Sequence, residues 1–257
     1  MEIALPAFVS FVASLLTLFS GFGLGTLLFP AFALFFPAEL AVATTAVVHF
    51  LNNLFKLAFL GRFADKEVVL KFGLPAIAAA FLGAQLLSLL SDIPPLFRYT
   101  ALGIGGEISP LKLVLGPVML VFALIEFSDR EHRFSFDRRY LLLGGILSGF
   151  FGGLSGHQGA LRTMFLLRCN LEKKAFLASG IAIACLIDIS RLTVYQHRFS
   201  TTLLSENLLA IGCSILSAFL GVTIGTRLLE KVTMKAIQRT VAAMLIVFAL
   251  LLMAGLI

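Results

Sequence analysis

The sequence predicts an all-α polytopic membrane helix bundle made of two homologous halves, with about eight apolar segments in all. Three observations predict it. The chain is 59% hydrophobic and only 13% charged, with a mean hydropathy of +1.01, whereas a soluble domain carries about 45–50% apolar and about 25% charged residues. Its apolar runs reach the length of about 20 helical residues that crosses a bilayer, and the links between them are short, leaving no room for a soluble domain. Short motifs also recur in the same order in both halves. The expected division is residues 1–127 for a first membrane repeat, 128–139 for a connecting loop and 140–257 for a second repeat.

Apolar segments are expected at roughly 3–36, 39–60, 68–90, 109–127, 140–168, 175–195, 204–227 and 236–257. "MEIALP" at the start lacks the basic region of a cleaved signal peptide, so the first segment is read as retained. That segment is long for one span and is broken by the glycines of "SGFGLGT" (20–26). The second and third are plain spans. After them comes "PPLFRYTALGIGGEIS" (94–109), interrupted by Pro94, Pro95 and glycines and expected to lie at the membrane interface. The fourth span leads to the connecting loop. The fifth segment, like the first, is long and glycine-broken, within "GLSGHQGALRTMFLL" (153–167); three spans follow.

The repeat is carried by order. "SGFGLGTLLFP" from Ser20 resembles "SGFFGGLSGHQG" from Ser148. "FLNNLFKLAFL" (50–60) aligns without gaps on "CLIDISRLTVY" (185–195). "AFLG" occurs at 80–83 and 218–221, and "VFAL" at 121–124 and 247–250. Charge then bears on topology. If all eight segments cross, the loop cations split 8 against 9, with no bias. If the first and fifth are re-entrant hairpins, each half crosses three times, the halves are inverted, and the split becomes 3 (Arg98, Lys112, Arg198) against 14. That is the bias of the positive-inside rule. It favours a multi-pass protein of a bacterial-type inner membrane, with loops 61–67 and 128–139 in the cytoplasm and both chain ends outside.

Few ionisable groups are left at membrane depth: Lys56, Arg162, Asp188 and Arg191, with His49 and His157. Each charge there costs roughly 2.5–3.5 kcal/mol on insertion scales, so each needs a partner or a wet cavity. The glycines of the second break, Gly156 and Gly159 among them, let the backbone turn and approach a ligand. A helix restarting near Gln158 presents unsatisfied amides, which favour an anion. Arg162, one turn on, shares the face of Gln158 and offers a planar fork for an oxyanion; His157 could donate to it or take a proton. The first break offers Gly23 and Gly25, and inverted repeats bring such tips together near the midplane. Asp188 and Arg191, three apart on one helix, either neutralise each other or belong to the site, with Asp188 the candidate for proton coupling. Lys56, Asn52 and Asn53 complete the substrate-binding candidates, while His49 is read as packing. The three cysteines are read as lipid-side packing, and Tyr99, Tyr140 and Tyr195 as interface anchors. No cofactor or metal is expected, since no metal-ligand spacing or catalytic dyad is present.

The two glycine-broken openings, together with "AVATTAVVHFLNNLFKLAFLGRFADKEV" and its counterpart "AFLASGIAIACLIDISRLTVY", resemble the sulfite exporter (TauE/SafE) family of membrane permeases over nearly the whole chain. The resemblance implies a secondary transporter, an exporter in direction, for a small sulfur oxyanion such as sulfite, thiosulfate or an organosulfonate. One departure concerns the second break, where His157 and Gln158 interrupt a run that is often plain glycine in the family. Buried cations agree with the sign of such a substrate. Proton coupling through His157 or Asp188 is one form of the mechanism; an anion channel and a non-transporting accessory subunit are the alternatives, and an enzyme is not expected. The expected partners are the small anionic substrate and membrane lipid, with a homodimer left open and no nucleic acid, because the basic residues are spread through the loops.

Overall fold

A computed structural model describes residues 3–17, 24–101, 103–127, 135–198 and 207–228, and 234–257. Ten α-helices are described: α1 (Ala4–Thr17), α2 (Leu24–Ala33), α3 (Ala38–Leu60), α4 (Lys66–Ser91), α5 (Pro110–Phe127), α6 (Leu141–Ser155), α7 (Gly159–Leu166), α8 (Lys173–Arg198), α9 (Leu208–Leu228) and α10 (Met234–Met253). By length and composition α3, α4, α5, α8 and α9 can each cross a membrane. The chain is thus an integral, multi-pass helical bundle. The first and fifth apolar segments are each two helices, divided at the glycine-rich breaks; Gly23 and most of the first break lie outside the described residues.

At the second break the chain reverses. Gly156, at φ +81°, ends α6 in the left-handed region that suits glycine. Close to the break, the Ser148 hydroxyl donates to the Gln158 carbonyl at 2.9 Å. Far from it, Gly144 near the start of α6 faces the ring of Phe165 near the end of α7. The amide of Phe136, before α6, donates to the Met164 carbonyl at 3.1 Å. The end of α7 therefore returns to the level where α6 began, and α6–α7 is a helical hairpin.

The hairpin is held by backbone contact. Gly145, Gly149 and Gly153 recur every fourth residue, on one face of α6. A Cβ at these positions would sit 2.2, 2.3 and 2.0 Å from the carbonyl oxygens of Phe72, Ala76 and Ala80 on α4. Only glycine allows so close an approach. From the other side, Gly83 of the first "AFLG" abuts the Phe150 carbonyl and the Leu154 amide of α6. Gly221 of the second "AFLG" abuts the Phe11 carbonyl and the Leu15 amide of α1. The two halves of the chain therefore exchange partners: α4 packs on α6, and α9 on α1. The α3–α8 and α5–α10 pairs also join one half to the other. Overpacking a close contact costs about 1–3 kcal/mol, so Gly149→Ala or Gly153→Ala is expected to lower the melting temperature in detergent. Gly212→Ala, with nothing within 4 Å of its added Cβ, should not. Equal melting of all three variants would remove the α4–α6 contact as a source of stability.

One end of the bundle gathers the loops that the hairpin topology assigns to one side. Lys174 lies over the Phe63 ring at 5.2 Å, the Ser179 hydroxyl accepts from the Asp65 amide at 2.9 Å, and Arg138 pairs with Glu67 at 2.7 Å. The segment after α4, expected at the interface, is a β-hairpin of β1 (Phe97–Ala101) and β2 (Ile104–Ile108). It clasps the residues after α10: Tyr99 Oη donates to the Ala254 carbonyl at 2.5 Å, and the Glu107 amide to the Gly255 carbonyl at 2.8 Å.

Candidate functional site

One face of α3 carries Thr45, His49, Asn52, Asn53 and Lys56, which share a helical stripe by their spacing. None is more than 8% exposed. Lys56 is buried despite lying near the helix end. Asn52 Oδ1 accepts from Ser14 of α1 at 3.0 Å, and its Nδ2 has no partner among the described residues.

Facing α3 stands Asp188 of α8, fully buried. Its Oδ1 accepts from Arg191 Nε at 3.0 Å, from Arg191 Nη2 at 2.7 Å and from Gln158 Nε2 at 3.1 Å. Its Oδ2 lies 2.6 Å from His49 Nδ1. A buried carboxylate needs such compensation, because leaving water costs several kcal/mol per ion. Arg191 also donates from Nη1 to the Gly152 carbonyl at 3.2 Å, and Tyr195 Oη to the Gly153 carbonyl at 2.5 Å. These are carbonyls at the end of α6, where helices leave acceptors open. Tyr195 is thus a buried tie inside the bundle, since α8 continues past it to Arg198, and not an interface anchor.

Gln158 links the hairpin to this pair. Its side-chain oxygen accepts from Arg162 Nη1 at 3.1 Å, the one-turn relation that their spacing predicts. Arg162 is buried, and the space beside it, lined by Thr163, Leu166, Phe176, Leu177 and Gly180, measures about 10 Å³. Lys56 lies close enough to the Arg162 guanidinium to feel its charge, with Cys185 near both. Cys169 and Cys185 are buried inside the bundle, not set on its lipid side.

The breaks meet. A Cβ at Gly25 would lie 3.5 Å from the Gly156 carbonyl and 3.6 Å from the His49 ring. Gly156 itself approaches Arg191 Nη1. Gly25 and Gly156 thus stand close with no side chain between them, and Gly159 opens α7 three residues on. His157 stands apart from the Asp188 network. Its Nδ1 lies 3.1 Å from the Ser155 carbonyl, its ring stacks on Phe122 at 5.7 Å, and its Nε2 has no partner among the described residues.

Two residues were misread from sequence. His49 is the link from α3 to Asp188, and its position four before Asn53 and seven before Lys56 was the available signal. Glu126, near the end of α5, is a second buried carboxylate within a span, so Asp188 is not alone there. Among the described residues no group of three His, Cys, Asp or Glu side chains could hold a metal ion.

On α3, α7 and α8 the buried charges are Lys56, Arg162 and Arg191 against the single carboxylate Asp188. Broken helices meeting at depth beside buried cations are the arrangement of a membrane permease. The family follows: the model of the sulfite exporter TauE/SafE family matches residues 6–252, and the chain belongs to that family. No curated protein matches the chain.

Proposed function

We propose that the protein is a secondary transporter of a small sulfur oxyanion, such as sulfite, thiosulfate or an organosulfonate, working in the direction of export. The observation that carries this reading is the surplus of buried positive charge around Arg162 and Lys56, with Asp188 already engaged by Arg191, Gln158 and His49. The anion binds between the α6–α7 hairpin and the α3–α8 pair. Arg162 supplies a planar guanidinium charge, Lys56 a point charge, and Gln158 holds the guanidinium in place. Asn52, Asn53 and the backbone at Gly25, Gly156 and Gly159 line the route, and His157 with its open Nε2 stands at its side. Since the two breaks come close together at Gly25 and Gly156, passage requires them to part and close again, which is the motion of a carrier. Asp188 and Arg191 anchor the cluster, and proton coupling runs through it.

The test is saturable counterflow in proteoliposomes. Sulfite, thiosulfate and ethanesulfonate are expected to exchange, and acetate is not. Exchange of none of the sulfur oxyanions would overturn the reading.

The repeats are proposed to be inverted in a bacterial-type inner membrane, with the cation-rich end in the cytoplasm. Cysteines at Ala64 and Glu172 should then label from the same, cytoplasmic side, because α6–α7 turns back. Labelling from opposite sides would mean that the fifth segment crosses.

A further inference from the structure

We infer that His49 carries the coupled proton, so that one proton and one anion are bound together; this rests on the reading of the site as an anion carrier. The geometry makes His49 a hinge between the repeats. Its Nδ1 meets Asp188 Oδ2 at 2.6 Å across the α3–α8 interface, and the other edge of the ring lies against Gly25 at the first break, where Gly25 meets Gly156. Every other contact of Asp188 is a fixed donor from Arg191 or Gln158. A proton added to the pair therefore resides on the imidazole, the side chain whose ordinary titration spans the neutral range. With Nδ1–H donated to Asp188, Nε2 on the edge toward Gly25, 3.2 Å from Asn53 Nδ2, accepts in the neutral ring and becomes an N–H donor in the protonated one, which Asn53 meets by turning its amide oxygen inward.

The charged groups that reach His49 are Asp188 and Arg191 from α8 and Arg162 from α7. α2, which also packs on α3, has no charged residue, and α9 has one, Arg227, in its last turn. Arg62, Lys66, Glu67 and Lys71 lie beyond the C-terminal end of α3, about 16 Å or more along the axis. A proton on His49 therefore adds positive charge to a site that already holds Arg162 and Arg191. An anion beside Arg162 offsets that repulsion, so anion and proton favour each other, and by linkage the effect is reciprocal.

Thiosulfate is the probe, because its charge is constant across the range in which histidine titrates. The wild type in weakly buffered detergent solution should take up close to one proton per thiosulfate bound near pH 8, and should bind it about tenfold more tightly at pH 6 than at pH 8. His49→Asn keeps an amide N–H where Nδ1 stood but takes no proton. It should bind thiosulfate with one affinity at both pH values, weaker than that of the wild type at pH 8, with no proton uptake. A wild type that binds thiosulfate without taking up a proton overturns the inference, and this measurement stands even if the variant fails to fold. Proton uptake that persists in His49→Asn overturns it equally. A wild type that binds neither thiosulfate nor sulfite would instead bring down the anion-carrier reading, and this inference with it.

Discussion

Asp188→Ala is expected to leave little folded protein. The carboxylate accepts from both arms of Arg191 and from Gln158, and it faces His49, all out of contact with water. Its removal strands the Arg191 guanidinium, which is itself fully buried. Breaking a buried ion pair from one side costs about 3–5 kcal/mol, whereas replacing both partners by apolar residues of similar volume is often close to neutral. The double variant Asp188→Leu with Arg191→Met is therefore expected to regain most of the lost yield and melting temperature while transporting nothing. Size-exclusion profiles and thermal melts of the single and double variants on matched preparations read this directly. A monodisperse Asp188→Ala variant with unchanged melting would mean that the pair contributes no stability.

Arg162→Lys is expected to keep the fold and weaken anion binding by roughly 10- to 100-fold. A hydrogen bond to a charged group is worth about 1.5–3 kcal/mol, and lysine keeps the charge but loses the planar fork. Gln158 should tolerate the change, since an ammonium can still donate to its side-chain oxygen. Arg162→Ala should bind more weakly still. Affinity for thiosulfate and monodispersity, measured on the same samples, separate the two roles open to this residue. A well-folded Arg162→Ala variant with unaltered affinity would move the substrate elsewhere and leave Arg162 as scaffolding.

Much of the bundle was legible because a membrane exposes its rules in composition. Segment positions followed from apolar length, and the two broken segments from their glycines. Relations within one helix were also readable: Gln158 to Arg162 and Asp188 to Arg191 are single-turn spacings, and the stripe from Thr45 to Lys56 is one helix face. Relations between helices were not. His49 and Asp188 stand 139 residues apart, and nothing local tells one buried histidine from another. The β-hairpin was hidden for a different reason. Its strands sit among prolines and glycines that read as breakers, and the sign that remained was Gly103, at φ +80° beside the closing pair Ala101–Ile104. Such a position suits a tight two-residue turn. Tyr195 was misplaced because the expected segment ended on it, whereas the helix runs to Arg198.

The exchange of packing partners between the two halves of the chain sets the order in which the chain can be completed. α4 is made before α6, and its carbonyl-lined face stays open until the glycine face of α6 is inserted. α1, the first of the described helices, waits for α9, the ninth. Neither half can close its own interior, so a nascent chain interrupted at the connecting loop holds Asn53 and Lys56 in the bilayer without the groups that surround them. Contacts so distant in sequence slow folding, because chain entropy is lost before they form. During synthesis, the polar face of α3 must therefore be sheltered by the insertion machinery or by transient pairing until the second half arrives. Separately expressed halves should be recovered only when both are made in the same cell.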